Sequence, residues 1–340
     1  MAARREWLAA ALRVTPVTGS RWTAARAATT MLAALLALWL AGALDHAAYA
    51  TFGAFASVYG GTARSPRRWR LQAALGALLT TAVATGAAVG TLEQRAWLSV
   101  PVAAAWAAGA AWLSDRFAWR PPGPMFAVFA VSTCAAIPTP PGRVATAVLV
   151  AAATAAFAVV LGAAEARLPG TAPPAPSAPA PPRERWRLHA VRCAVAVALA
   201  GAVTTASGLG HPYWAMTASV VPLAVLELHH QLLRGLHRVA GTAAGLAVAA
   251  GLLVLPLPVP ATLLLVAALQ AGAELLVVRH YAAALVFITP LALLVGQVAD
   301  RRPVPELILS RFAETLVGVG IGLAVAALTR RRDPVVSGAG

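Results

Sequence analysis

Arg311 and Glu314 stand three residues apart inside the last apolar run of a 340-residue chain. On a helix that spacing puts both on one face. An ionisable group at membrane depth costs roughly 2.5–3.5 kcal/mol at a helix centre, so it turns toward protein or water. The pair reads two ways: a structural ion pair locking the last helix to a neighbour, or a gating or substrate-carboxylate site. Thr315 and Gly318 follow on the next turns. Arg238 opens an earlier apolar run and is followed by Gly241, Thr242 and Gly245. Its charge suits anionic lipid or a substrate carboxylate arriving from the cytoplasm. Glycines four apart let a second helix approach closely, so Gly241, Gly245 and Gly318, with Thr242, are read as helix-packing residues.

Other residues offer weaker chemistry. His211 begins the stretch His-Pro-Tyr-Trp-Ala, His211 to Ala215. It either titrates near neutral pH or caps and anchors a helix at the interface. Tyr213 and Trp214 beside it suit a membrane–water boundary. Pro212 fits a first helical turn, whose N–H groups lack intrahelical partners anyway. Glu274, close to Gln270 and about a turn before Arg279, either snorkels to the cytoplasmic interface or serves a proton relay. Pro222 and Pro290 are expected to break their runs near the middle. A broken helix frees backbone groups that protein or a wet cavity must satisfy, and such breaks often line transport sites.

His229, His230 and His237 cluster in a short polar stretch without a nearby cysteine, which reads as a solvated basic loop and no metal site. The two cysteines, Cys134 and Cys193, lie inside apolar runs and read as small core residues. Paired acids in a loop, a zinc-protease helix motif, a phosphate-cradling glycine loop and a Gly-x-Ser-x-Gly elbow are all missing from the sequence. The expectation is a non-enzyme that needs no cofactor.

The elements that hold these residues follow from composition. The chain is 59% hydrophobic and 11% charged, against roughly 25% charged in soluble domains. So little charge cannot coat a water-soluble fold of this size, and most of the surface must face lipid. The formal net charge of +15 raises nucleic acid as a partner. That class is excluded because the basic residues, all arginine, recur in short gaps between apolar runs, as membrane topology signals do. The lipid bilayer is the expected partner, and a homo-oligomer stays open. Arginine-only basicity with heavy alanine use indicates a high-GC bacterial genome.

A span needs about 20 mostly apolar residues. The runs predict an all-α polytopic membrane protein of about 12 transmembrane helices. They lie near 24–44, 47–62, 70–92, 96–114, 122–140, 143–165, 188–208, 212–228, 237–256, 259–278, 280–299 and 304–328. Segments 47–62 and 212–228 are short and aromatic, and the count falls to about ten if both are re-entrant. Residues 1–23 form a cytoplasmic segment without a cleavable signal, and 330–340 a cytoplasmic tail. Residues 169–187 form a Pro/Arg-rich linker between membrane halves 24–168 and 188–329. The halves read as two parallel six-helix repeats, offset by about 165 to 168 residues, the first degenerate. Arg26 pairs with Arg192, His46 with His211, Arg70 with Arg238 and Arg143 with Arg311. With both termini cytoplasmic, the outside gaps hold only Arg95, Arg143, Arg301 and Arg302, a strong positive-inside asymmetry.

The His211-to-Gly245 stretch, with Glu227, Arg234 and Arg238-x-x-Gly-Thr-x-x-Gly, resembles the signature of the fusaric acid resistance protein-like (FUSC) family, in its aromatic acid exporter group. Arg311-x-x-Glu314-Thr315-x-x-Gly318 resembles that family's closing motif, an acid and threonine before a glycine. The resemblance implies a bacterial inner-membrane, transporter-type protein with aromatic carboxylic acids as the best-known cargo of its relatives. Many relatives carry a large soluble domain, and the short linker marks a minimal version. The expected function is export of small aromatic or amphipathic organic anions on a proton or voltage gradient. The alternative is a non-transporting membrane scaffold for envelope or lipid-handling partners.

Overall fold

The computed structural model describes residues 14, 20–60, 68–167, 183–225 and 227–330. The arginines at positions 4, 5 and 13, most of the linker, and the tail from residue 331 lie outside the described residues. The described chain is all α. Its helices are α1 Ser20–Leu40, α2 Ala47–Ala54, α3 Arg68–Gly90, α4 Arg95–Phe117, α5 Met125–Ala136 and α6 Val144–Glu165. They continue as α7 Arg183–Ala206, α8 Pro212–Ser219, α9 Leu228–Leu253, α10 Val259–Leu276, α11 Tyr281–Ala299 and α12 Val304–Leu328. Helix α7 starts inside the stretch read as linker.

Among the described residues, nine of these helices are long and apolar enough to cross a membrane. The protein is therefore a multi-pass membrane protein. Twelve full-length spans are not what the described chain contains. Helix α5 has 12 residues and α2 and α8 have 8 each. At about 1.5 Å per residue these fall well short of a hydrocarbon core about 30 Å thick. Helices α10 and α12 begin on proline-bearing first turns, and His280 Nδ1 accepts from Ala283 N–H to cap α11. Large apolar side chains such as Leu40, Leu149, Leu264 and Leu309 point outward, as a lipid-facing surface requires.

The two short aromatic segments are broken helices. After α2 the chain makes a 3₁₀ turn at Phe55–Val58 and becomes extended at Tyr59. After α8 it makes a 3₁₀ turn at Pro222–Ala224 and becomes extended at Val225. Proline supplies no N–H to continue the second helix. The first breaks without proline, and Gly60 follows Tyr59 at a φ of 94°, a left-handed turn that glycine allows. The freed carbonyls are met by buried side chains. Arg26 Nε donates to Ser57 O at 2.8 Å, and Gln72 Nε2 to Tyr59 O at 3.1 Å. In the second half Gln231 Nε2 donates to Val225 O at 2.9 Å. Pro290, by contrast, sits inside an uninterrupted α11. The expected break there does not occur, because packing on α9 and α10 holds the helix through the missing N–H.

The bundle is interlocked. Helix α1 packs on α10, and α7 packs on α4. Within the halves, α3 packs on α5 and α6, and α9 on α11 and α12. The broken helix α2 lies on α6 and α8 lies on α12; α5 meets α8 and α11 meets α2. Small residues permit these approaches. A Cβ on Gly318 or Gly322 would come closer than 3.0 Å to a backbone carbonyl of α8. A Cβ on Gly241 would meet Ala282 O at 2.5 Å, and one on Gly245 would meet Leu285 O at 2.6 Å.

Candidate functional site

The second half holds a group of buried charges, among which the described residues form no close salt bridge. Arg311, on α12, is 1% exposed, and its guanidinium carbon lies 3.5 Å from the centroid of the Trp214 ring on α8. That face-on contact is a cation–π interaction. Glu314, one turn further, is fully buried, and its Oε1 accepts the His211 N–H at 2.7 Å. It thereby meets an orphan donor at the start of α8. Arg311 and Glu314 share a face but do not form the structural ion pair. Glu314 Oε2 and Arg311 Nε and Nη1 have no hydrogen-bond partner.

Arg238 joins them from α9. It is 4% exposed, its Nη1 donates to Tyr281 Oη at 3.2 Å, and its Nε has no partner. Gly235 rests against Val319 and Leu323, which sets the register of α9 along α12. Arg238 comes within electrostatic range of Arg311. Thr242 and Thr289 are fully buried between α9 and α11, and each has an unpartnered hydroxyl. Two guanidiniums thus face one carboxylate, and among the described residues no acid forms an ion pair with either arginine. A buried charge left in this state is costly, and an entering anion relieves it.

His211 links this group to a cleft of about 240 Å³. Arg95, Thr133 and Pro138 line it from the first half, and His211, Tyr213 and Arg302 from the second. Arg302 Nη1 contacts His211 Nε2. A guanidinium can only donate, so Nε2 is unprotonated and the ring proton sits on Nδ1, 3.3 Å from Ser310 Oγ. Burial, then the charges of Arg302 and Arg311, push His211 down to about 4. His211 occupies the N-cap position of α8 without a side-chain capping hydrogen bond, and the Arg302 contact favours its neutral form.

Aromatic rings fill the seam beside this cleft. Phe129 on α5 lies 4.8 Å from Trp214 and 5.2 Å from Phe52 on α2. Tyr213 lies 5.0 Å from Trp214. The chain of rings ends on the Arg311 guanidinium. Sequence spacing gave no hint of Phe129 or Phe52, which reach the site from the other half. Tyr281 and Arg302 were equally invisible, because their partners are far away in the chain.

The model of the fusaric acid resistance protein-like family matches residues 196–325. The second half of this chain is similar to that family over those residues. His211, Trp214, Arg238, Arg311 and Glu314 all fall within the matched region. No similar curated protein and no similar solved structure was found.

Outside the fusaric acid resistance protein-like region lies a second buried charge cluster, and this one is paired. Glu165 at the end of α6 bridges Arg26 of α1 and Arg68 of α3, the latter at 3.1 Å. Arg68 is buried and Arg70 is exposed, so Arg68 rather than Arg70 is the inward arginine of α3. Arg143 is also exposed and pairs with Asp45 at 2.9 Å, unlike the buried Arg311. Glu274, inside the family match, is 8% exposed and accepts from Gln270 Nε2 at 3.1 Å. It does not snorkel, because α1 covers α10 and brings Arg26 within electrostatic range. Glu274 thus answers to the first-half cluster.

Proposed function

We propose that this protein is an integral membrane transporter of small aromatic or amphipathic organic anions, working outward on a proton or voltage gradient. One observation carries the reading: Arg238 and Arg311 are buried with free N–H groups, and Arg311 lies on the Trp214 ring. A carboxylate would supply the missing counter-charge, and a ring attached to it would pack against Trp214, Phe129 and Tyr213. Arg95 and Arg302 line the cleft on what the arginine map makes the outer side, so their long-range attraction would pull an anion outward from the buried site. The family match supports the transporter class.

The matched packing of the halves supports two parallel repeats of six helices, each with one broken helix. The arginine map supports a bacterial inner-membrane location with both termini in the cytoplasm. A topology reporter at 42–47 and at 229–236 is expected to give opposite sides; the same side at both overturns the arrangement. Flux decides the function. Purified protein in liposomes should release a labelled aromatic carboxylate faster when a pH or voltage gradient is imposed. Equal release with and without protein, across a panel of acids, overturns the transport reading and favours the scaffold.

A further inference from the structure

We propose that Glu227, His229 and His230 form a binding site for a divalent transition-metal ion of the zinc class. In sequence the histidines are neighbours and looked unsuitable as a ligand pair. The fold adds Glu227. Its Oε2 lies 3.4 Å from His229 Nδ1 and 3.3 Å from His230 Nδ1. All three ligand atoms lie within 4.8 Å of one another. A tetrahedral zinc ion with bonds of about 2.0–2.1 Å separates its ligand atoms by about 3.3–3.4 Å, so the two carboxylate–imidazole edges already have the required length.

Ordinary ion pairing explains the group less well. The two imidazole rings lie 3.7 Å apart, centroid to centroid, and share one carboxylate oxygen. Two imidazoles and a carboxylate converging on one point are the nitrogen–oxygen donor set of three-ligand zinc sites, with a fourth position left for water. All three side chains are exposed, so an ion reaches them without moving the bundle.

The backbone that carries them is held in place. Glu227 is the N-cap of α9, and its carbonyl accepts from Gln231 N–H at 2.9 Å. The Gln231 side chain, buried at 3% exposure, fixes Val225 O on the segment leaving the broken helix. The positive end of the α9 dipole opposes a cation weakly, and the Glu227 carboxylate offsets it. An ion here would clamp the first turn of the helix that carries Arg238.

The test uses the full chain, free of any affinity tag, in detergent after chelator treatment. Cobalt(II) is the probe, because four-coordinate cobalt absorbs strongly in the visible, and zinc(II) competition gives the affinity. One equivalent per chain is expected, with zinc displacing it. His229→Ala/His230→Ala should abolish the band, and Glu227→Gln should weaken binding roughly tenfold or more. The neighbouring pair His237 and His280, with ring centroids 4.8 Å apart, is the control; His237→Ala/His280→Ala should bind as the wild type does. Metal-free melting curves of the Glu227, His229 and His230 variants should match the wild type, while the control variant, which loses the α11 cap, should melt somewhat lower. Absence of a cobalt band, a band that survives the His229/His230 double variant, or one lost in the control variant overturns the proposal. None of these results bears on organic-acid flux.

Discussion

Changing Arg311 to glutamine separates an anion site from a structural role. In the wild type Arg311 Nε and Nη1 have no protein partner, and the residue is 1% exposed. A hydrogen bond to a charged group contributes about 1.5–3 kcal/mol. Losing one such contact to a bound carboxylate weakens binding roughly 10–150-fold. Folding stability responds differently. Removing one member of a buried ion pair costs about 3–5 kcal/mol, but Arg311 has no such pair to lose. What it loses is its contact with Trp214, about 0.5–2 kcal/mol, and a longer-range attraction to Glu314, while relief of the repulsion from Arg238 acts the other way. Arg311→Gln should therefore bind aromatic carboxylates far more weakly and melt close to the wild type. Melting curves with and without the acid read both quantities at once. A ligand at 100 times its Kd stabilises by about 2.7 kcal/mol, and the variant should lose that shift. Wild-type affinity with a loss of several kcal/mol in stability would refute the reasoning and restore the structural ion-pair role.

Other outcomes follow from the same geometry. His211 is held down to about 4, against about 6.5 in the unfolded chain. Between those values the unfolded chain binds a proton that the folded one does not. Stability is thus full above about pH 6.5 and falls toward about pH 4, by roughly 3 kcal/mol. His211→Gln should flatten that slope in melting experiments across the range; equal slopes would count against a neutral His211. Gly318→Ala places a methyl group closer than 3.0 Å to Ala215 O, whereas Gly320→Ala meets nothing within 4 Å. The first should destabilise by about 1–3 kcal/mol through overpacking. The second should be neutral or gain up to about 1 kcal/mol of helix propensity. Equal effects in the two variants would show that α8 does not press on α12 as described.

Residue order alone determined that this chain is a helical membrane protein, and which of its halves bears the family signature. Long apolar runs, sparse charge and short arginine-bearing gaps leave no other solvent for the surface. The sequence also marked the break at Pro222, since a missing N–H is a local property. It singled out Arg238, Arg311 and Glu314, because a buried charge in an apolar run is conspicuous wherever the run packs. Tertiary structure decided the rest. It ended α2 without a proline, carried α11 through Pro290, and turned Arg68 inward in place of Arg70. It left Arg311 and Glu314 unpaired although their spacing allows a pair, gave Glu314 to the start of α8, and laid Arg311 on Trp214. It also brought Glu227 to His229 and His230. The physical reason is that periodicity tells which face of a helix a side chain occupies, not which element will lie against that face. Counter-charges, caps and aromatic neighbours come from that opposing element.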